Sequence, residues 1–396
     1  MATNEGGFIG QDGLNAPDSP TGVSGSPGDD EAVVSFTAPS DVGGSAITGF
    51  RVQDGTNAHG ASGTSSPITV TGLSNGTSYT FNVWAINAFG YSAPSDASGS
   101  VTPAVPELAF IVAGYESGAL QQIDVITITS TGNATDFGDF YSAEYMGGCC
   151  SSATRGLVGG GDTTSIDMDY FTMSSGGTTA NFGNMNQSVG SGVAGASSST
   201  RGLFFGGTYN DGSTVYANNI QYVTIASLGN AADFGNLTQG RAQTTATSNS
   251  TRAICAGGTE GSANKSNVMD YVTIASTGNA TDFGNLLTAT RRTAGAASST
   301  RAVFAGGTTS GSNVIQYVTI ASTGNATDFG DLTVARQELG GTSGTTRSVF
   351  CGGNGGTNVI DYITTASVGN ATDFGDLAQA RTQATQTTSN SHGGLS

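Results

Sequence analysis

The chain has 396 residues, 62 of them Gly, with 12 Lys and Arg against 29 Asp and Glu, a formal charge of −17. An acidic surface repels phosphate backbones, which argues against a nucleic-acid partner, and no segment has the length and apolarity of a membrane span. The only two histidines, His59 and His392, are too few and too far apart for a catalytic triad or a multi-histidine zinc site.

Residues 1–15, MATNEGGFIGQDGLN, carry no basic or apolar leader pattern, so they read as an N-terminal arm and no standard signal peptide is expected. Residues 16–104 change to short alternating segments with turn chemistry between them, the spacing of a β-sandwich. Strands are expected at Ala32–Thr37, Ile47–Gln53, Ile68–Thr71, Tyr79–Asn87 and Ala97–Thr102. The stretch TVTGLSNGTSYTFNVWAINAFGYSAPS resembles a fibronectin type III domain. Leu73 stands six residues before Tyr79, and Val83-Trp84-Ala85-Ile86-Asn87 continues the strand; Phe36 stands where that family usually has Trp. The resemblance implies a Tyr79 hydroxyl bonded to nearby backbone, and a module that spaces or adheres.

Residues 105–396 are repetitive. A Gly-Gly strand end, a loop and a segment close to IQYVTIASTGNATDFGDL recur six times, closing at Phe137, Phe182, Phe234, Phe283, Phe329 and Phe374, at intervals of 45, 52, 49, 46 and 45 residues. Regular aromatic and β-branched positions argue against disorder despite the Gly content, and a strand-rich period of 40–50 residues points to a β-propeller. The fifth copy divides into strand a (Thr293–Ser298), strand b (Ala302–Ala305), strand c (Ile315–Ile320) and strand d (Ala326–Leu332). The array starts without a strand a and stops just after one, so Ala380–Gly393 is expected to complete a blade with Leu108–Phe140. The fold expected is all-β: a sandwich followed by a six-bladed propeller closed by its two ends. Gly doublets after strand b, from Gly159-Gly160 to Gly352-Gly353, and an aromatic closing strand d resemble kelch repeats, with Phe in place of the usual Trp.

Arg155, Arg201, Arg252, Arg301 and Arg347 follow Thr in each a–b turn, with His392 at the sixth place. Arg241, Arg291, Arg336 and Arg381 recur before strand a. Such regularity marks them as repeat-structural, each ordering a turn through a carboxylate or carbonyl. Asp-Phe-Gly recurs without the other kinase motifs, so it too is structural. The Asn-Ala-Thr triplets at Asn133, Asn279, Asn325 and Asn370 read as turns rather than glycosylation sites. Cys149, Cys150, Cys255 and Cys351 do not form a disulfide framework and read as small core residues.

The b–c loops vary most, and they supply the candidate ligand-binding residues: Tyr115, Glu116, Tyr209, Asn210, Asp211, Tyr216, Glu260 and Lys265. Aromatic planes beside Asn and Asp suit sugars. No catalytic residue, metal or cofactor is expected. Arrays of this composition with TGNATDFGD repeats and a fibronectin-type module resemble virion structural proteins of tailed bacteriophages, those of cyanobacterial phages in particular. That resemblance implies a non-enzymatic tail or neck fibre subunit, assembled in the host cytoplasm. Its partners would be other virion proteins, met through the arm and sandwich, and host-surface glycans; a homo-oligomer is compatible with it. The alternatives are a capsid decoration protein, or a secreted bacterial adhesin or glycan-active propeller.

Overall fold

The computed structural model describes residues 15–161, 166–261, 264–308, 310–383 and 387–395. All regular structure among them is β-strand, in two units, residues 1–106 and 107–396. The expected arm lies outside the described residues as far as residue 14.

The first unit has seven strands: β1 Thr21–Pro27, β2 Glu31–Thr37, β3 Gly49–Asp54, β4 Gly60–Gly63, β5 Ile68–Thr71, β6 Phe81–Asn87 and β7 Gly90–Tyr91. They form two antiparallel sheets, in the orders β1-β2-β5 and β4-β3-β6-β7. Alternation decides the core, because every second side chain of β2 and β6 is buried. Val34, Phe36, Val52, Phe81 and Val83 share one apolar cluster, and Phe36 packs on Phe50 with ring centroids 4.8 Å apart. The Tyr79 hydroxyl accepts a hydrogen bond from the Ser74 backbone N–H at 3.0 Å, next to the buried Leu73. Tyr79→Phe removes that acceptor, and a loss of about 1 kcal/mol is expected in the unfolding transition of this unit.

The strand expected at Ala97–Thr102 does not form; only an isolated bridge joins Val101 to Tyr79. Serine spacing explains the difference. The N–H groups of Ser92, Ser95 and Ser98 donate to the carbonyls of Ala85, Val83 and Phe81, and their hydroxyls accept from the same three residues' N–H groups at 2.9 Å. Three residues of one chain therefore advance against two of the other, which a regular ladder cannot do.

In the second unit each repeat builds a sheet in the order a-b-c-d. In repeat 5 the strands are Ala294–Ala297, Arg301–Ala305, Ser312–Thr319 and Thr327–Arg336, so c starts earlier and d runs further than expected. The far ends of the unit share one sheet. Thr387–Ser389 serves as strand a beside Leu108–Val112, which is followed by Leu120–Thr127 and Thr135–Glu144. Among the described residues no sheet closes on itself. Each strand a instead contacts the strands a of the repeats before and after it, and the succession returns through Thr387–Ser389 to Gly148–Ser151.

Two devices join neighbouring sheets. Along strands a, serine hydroxyls donate to the preceding repeat's carbonyl: Ser151 to Ser389 at 2.8 Å, Ser197 to Ser151 at 2.8 Å, Ser248 to Ser197 at 2.7 Å and Ser389 to Ser343 at 2.6 Å. Small residues are required because the strands nearly touch; a Cβ on Gly195 would lie 2.0 Å from the Cys149 carbonyl oxygen.

The second device is the TGNATDFGD motif. The c–d turn of one repeat docks on strand d of the repeat before it. In repeats 5 and 4, Gly324 N–H donates to Phe283 O at 2.7 Å, while Asn325 Oδ1 accepts from Asn285 N–H at 3.0 Å. Repeat 1 docks on repeat 6 in the same way, with Gly132 N–H on Phe374 O at 2.9 Å and Asn133 Oδ1 accepting from Asp376 N–H at 3.1 Å. Thus the asparagine of the triplet is an acceptor that satisfies a strand edge.

Candidate functional site

Arg155, Arg201, Arg252, Arg301 and Arg347 each lie over a tyrosine of strand c, with guanidinium-to-ring distances of 4.2–4.6 Å. Each tyrosine meets the closing Phe edge-on: Tyr170 with Phe182, Tyr222 with Phe234, Tyr271 with Phe283, Tyr317 with Phe329 and Tyr362 with Phe374. Each guanidinium also donates to a carbonyl of the next repeat, from Arg155 on Ile225 to Arg347 on Ile128. The cations are therefore bonded between sheets rather than presented to a ligand.

His392 does not take the sixth place. In repeat 1 the corresponding residues are Leu108 and Val125, which pack with Phe137 in an apolar cluster, so no cation is needed there. His392 turns inward instead. Its Nε2 lies 3.3 Å from Ser197 Oγ, and burial pushes its pKa down to about 4, which leaves the ring neutral at pH 7. The tail fits closely here, since a Cβ on Gly393 would meet the Ala297 carbonyl oxygen at 2.6 Å.

The second arginine series also needs one correction. Arg241, Arg336 and Arg381 are almost wholly buried and pair with Asp270, Asp361 and Asp124. Each stands seven residues after its Phe, whereas Arg291 stands eight after Phe283, and Thr290 holds the place in that repeat. Burial raises the pKa of Asp124 and of Asp361, against the pull of Arg381 and Arg336 respectively. All four cysteines are free and buried, and burial pushes the thiols of Cys255 and Cys351 up to about 11 and about 12.

The b–c loop residues do not converge. Tyr115 is paired through its backbone with Thr382, and its ring meets Tyr145 edge-on at 5.4 Å. Glu116 accepts from Gln379 at 2.7 Å, and Glu260 accepts from Gln239 at 2.5 Å. Repeat 3 carries an extra hairpin, Thr208–Asn210 with Thr214–Tyr216. Tyr209 packs against the core there, Tyr216 is half-buried, and Asn210 and Asp211 are exposed at the tip. Lys265 is exposed. Parts of the expected loops, residues 162–165, 262–263 and 309, lie outside the described residues.

A polar cluster that sequence reasoning missed sits just before the strands a. Met146, Gly192, Gln243, Arg292 and Glu338 all have positive φ, and their backbones form a relay. Gly192 N–H donates to Met146 O, Gln243 to Gly192, Arg292 to Gln243 and Glu338 to Arg292, all at 2.9–3.0 Å. The left-handed turns bring the side chains together. Arg292 pairs with Glu338 and donates from Nε to Gln243 Oε1 at 3.1 Å, and Thr382 Oγ1 donates to the other Glu338 oxygen at 2.6 Å. Through Thr382 the cluster adjoins Tyr115, the one expected ligand residue it reaches. These residues and Thr244 line a cavity of about 20 Å³, room for about one water. A neighbouring cavity of about 40 Å³ is lined by Thr244, Thr245, Thr293 and Cys149.

Among the described residues no three His, Cys, Asp or Glu side chains are grouped to hold a metal, and no helix is long and apolar enough to cross a membrane. No curated protein matches the chain. Among solved structures, that titled "Structure of YjhT" aligns with a TM-score of 0.50 at 10% identity, covering 61% of this chain and 86% of that one, a likeness of fold alone. The family model for the fibronectin type III domain matches residues 18–100, the two-sheet unit with the Tyr79 corner. Residues 18–100 are a fibronectin type III domain.

Proposed function

We propose that residues 107–396 form a six-bladed kelch-like β-propeller and that the chain is a non-enzymatic virion structural protein, a tail or neck fibre subunit that recognises host-surface glycans. The ring-wise succession of contacts supports the propeller: Arg347 on Ile128 and Asn133 on Asp376 each join repeat 6 to repeat 1, and Ser151 on Ser389 carries the succession on into repeat 2. The observation that carries the functional reading is the division of labour among polar residues. Charged groups that recur are bonded between sheets. What does not recur, the loops with Tyr115, Asn210, Asp211 and Lys265, is exposed and free to specialise. The fibronectin type III unit and the arm would dock to the particle.

Mass spectrometry of purified virions tests the assignment: the chain is expected among the structural proteins, and its absence from particles that infect normally overturns the reading. One observation favours a glycan-active propeller instead, the Arg292–Glu338 pair beside Tyr115. Turnover of a host polysaccharide that Glu338→Gln abolishes would select that second reading.

A further inference from the structure

Residues 390–395 cross between strands a instead of running along one. They leave Thr387–Ser389 in the sheet of repeat 1 and meet carbonyls of repeats 3 and 5. A Cβ on Gly393 would lie 2.6 Å from the carbonyl oxygens of Ala297 and Ser298, and one on Gly394 would collide with that of Ser197. The paired glycines are what lets the backbone sit so close. The cavity beside the segment, about 40 Å³, is lined by residues of all six strands a and by His392.

Hydrogen bonds fix the protonation of His392. Ser197 Oγ donates its one proton to the Ser151 carbonyl at 2.8 Å, so toward the histidine it can only accept, and Nε2, 3.3 Å away, carries the ring proton. Nδ1 then has a lone pair, and it accepts from the Gly394 N–H at 3.0 Å. The Leu395 N–H donates to the His392 carbonyl at 2.8 Å, which completes the turn. A second ring proton would have to enter at Nδ1, where it would face the Gly394 N–H, donor against donor. It would also bring a charge that nothing nearby balances. Among the described residues lining the cavity, the only other titratable groups are the thiols of Cys149 and Cys150, and burial keeps both protonated. Ser391, Gly393, Gly394 and Leu395 have uncharged side chains.

We propose that residues 391–395 are an acid-released plug, which seals this cavity while His392 is neutral and leaves the strands a when a proton enters at Nδ1. The sign follows from linkage. The docked ring titrates at about 4, against 6.5 for a free one, so docking is at full strength above the free value and weakens as pH falls between the two. From neutrality to pH 4.5 the docking equilibrium falls about 100-fold on those values. Release uncovers the ends of the strands a in acid and covers them again at neutral pH. The device does not depend on what the b–c loops recognise.

The test is amide hydrogen exchange of the full chain, read by peptide mass spectrometry at pH 7 and pH 4.5 and corrected for the intrinsic effect of pH on exchange. Protection of the Gly394 and Leu395 amides is expected to fall about 100-fold at pH 4.5, while peptides covering Ala194–Ser197 and Thr245–Ser248 keep theirs. His392→Gln, whose side chain can accept from Gly394 without gaining a charge, should stay protected at both pH values. Protection retained at pH 4.5 in the unsubstituted chain, the same loss in His392→Gln, or simultaneous loss in the strands a would each overturn the proposal. Should His392→Gln not dock, His392→Lys decides: a permanent charge there should leave the segment unprotected even at pH 7, and protection would count equally against the plug.

Discussion

Arg381→Met is expected to destabilise the larger unit by about 3–5 kcal/mol, because it strands the wholly buried Asp124 carboxylate without its partner. The arginine also donates to the carbonyls of Ala113 and Gln122, so two further acceptors lose a donor. The pH dependence has a definite sign. Burial raises the pKa of Asp124, and Arg381 holds the rise in check. A carboxyl whose folded pKa exceeds its unfolded value adds stability that is complete below the unfolded pKa and lost as pH rises through the folded one. Removing Arg381 lifts the folded value further, so the deficit measured by urea unfolding should be largest near neutrality and shrink in acid. The double variant Asp124→Gln with Arg381→Val should recover most of the loss. Repeat 3 already uses that neutral combination, in which the Gln221 side chain accepts from Asn186 N–H at 2.6 Å.

The second large effect is expected at a glycine. Gly330 has φ of 147°, and a Cβ there would lie 2.4 Å from the Gly369 carbonyl oxygen of the next repeat. Gly330→Ala therefore combines a backbone conformation reserved for glycine with a backbone clash, and a cost of about 3 kcal/mol or more follows. Asn370→Ala removes only the acceptor for Asp331 N–H and should cost about 1 kcal/mol. Urea unfolding of the two variants side by side checks the ratio. Equal losses would mean that the turn, and not the close approach, governs the contact between repeats.

Much of the scaffold was legible because repetition averages out local noise. Gly doublets, the Thr-Arg turns and Phe-Gly recur at fixed offsets, so a single parse of repeat 5 transferred to the others. The sandwich was readable from alternation in Glu31–Thr37 and Phe81–Asn87, but its last segment was not. Ser92, Ser95 and Ser98 replace a ladder by hydroxyl pairing, which leaves no period of two to find. His392 misled for a related reason. Counting residues along the chain put it in the arginine series, although strand b of its sheet comes from Leu108–Val112, nearly three hundred residues earlier. The Arg292–Glu338 cluster was hidden because its members share only a left-handed backbone, and no residue type marks that position among Met146, Gly192, Gln243, Arg292 and Glu338.

The sheet shared by Leu108–Val112 and Thr387–Ser389 also sets the order in which this protein can mature. The fibronectin type III unit emerges complete and can fold while the rest is still being synthesised. The first sheet of the larger unit cannot, because its earliest strand waits with an open edge until Thr387–Ser389 has been made. For that interval Ala109, Phe110, Ile111 and Val112, all buried in the finished protein, lack their neighbour. Completion of that sheet therefore waits until Thr387–Ser389 has been made, and a ribosome that stops before it leaves a sticky strand.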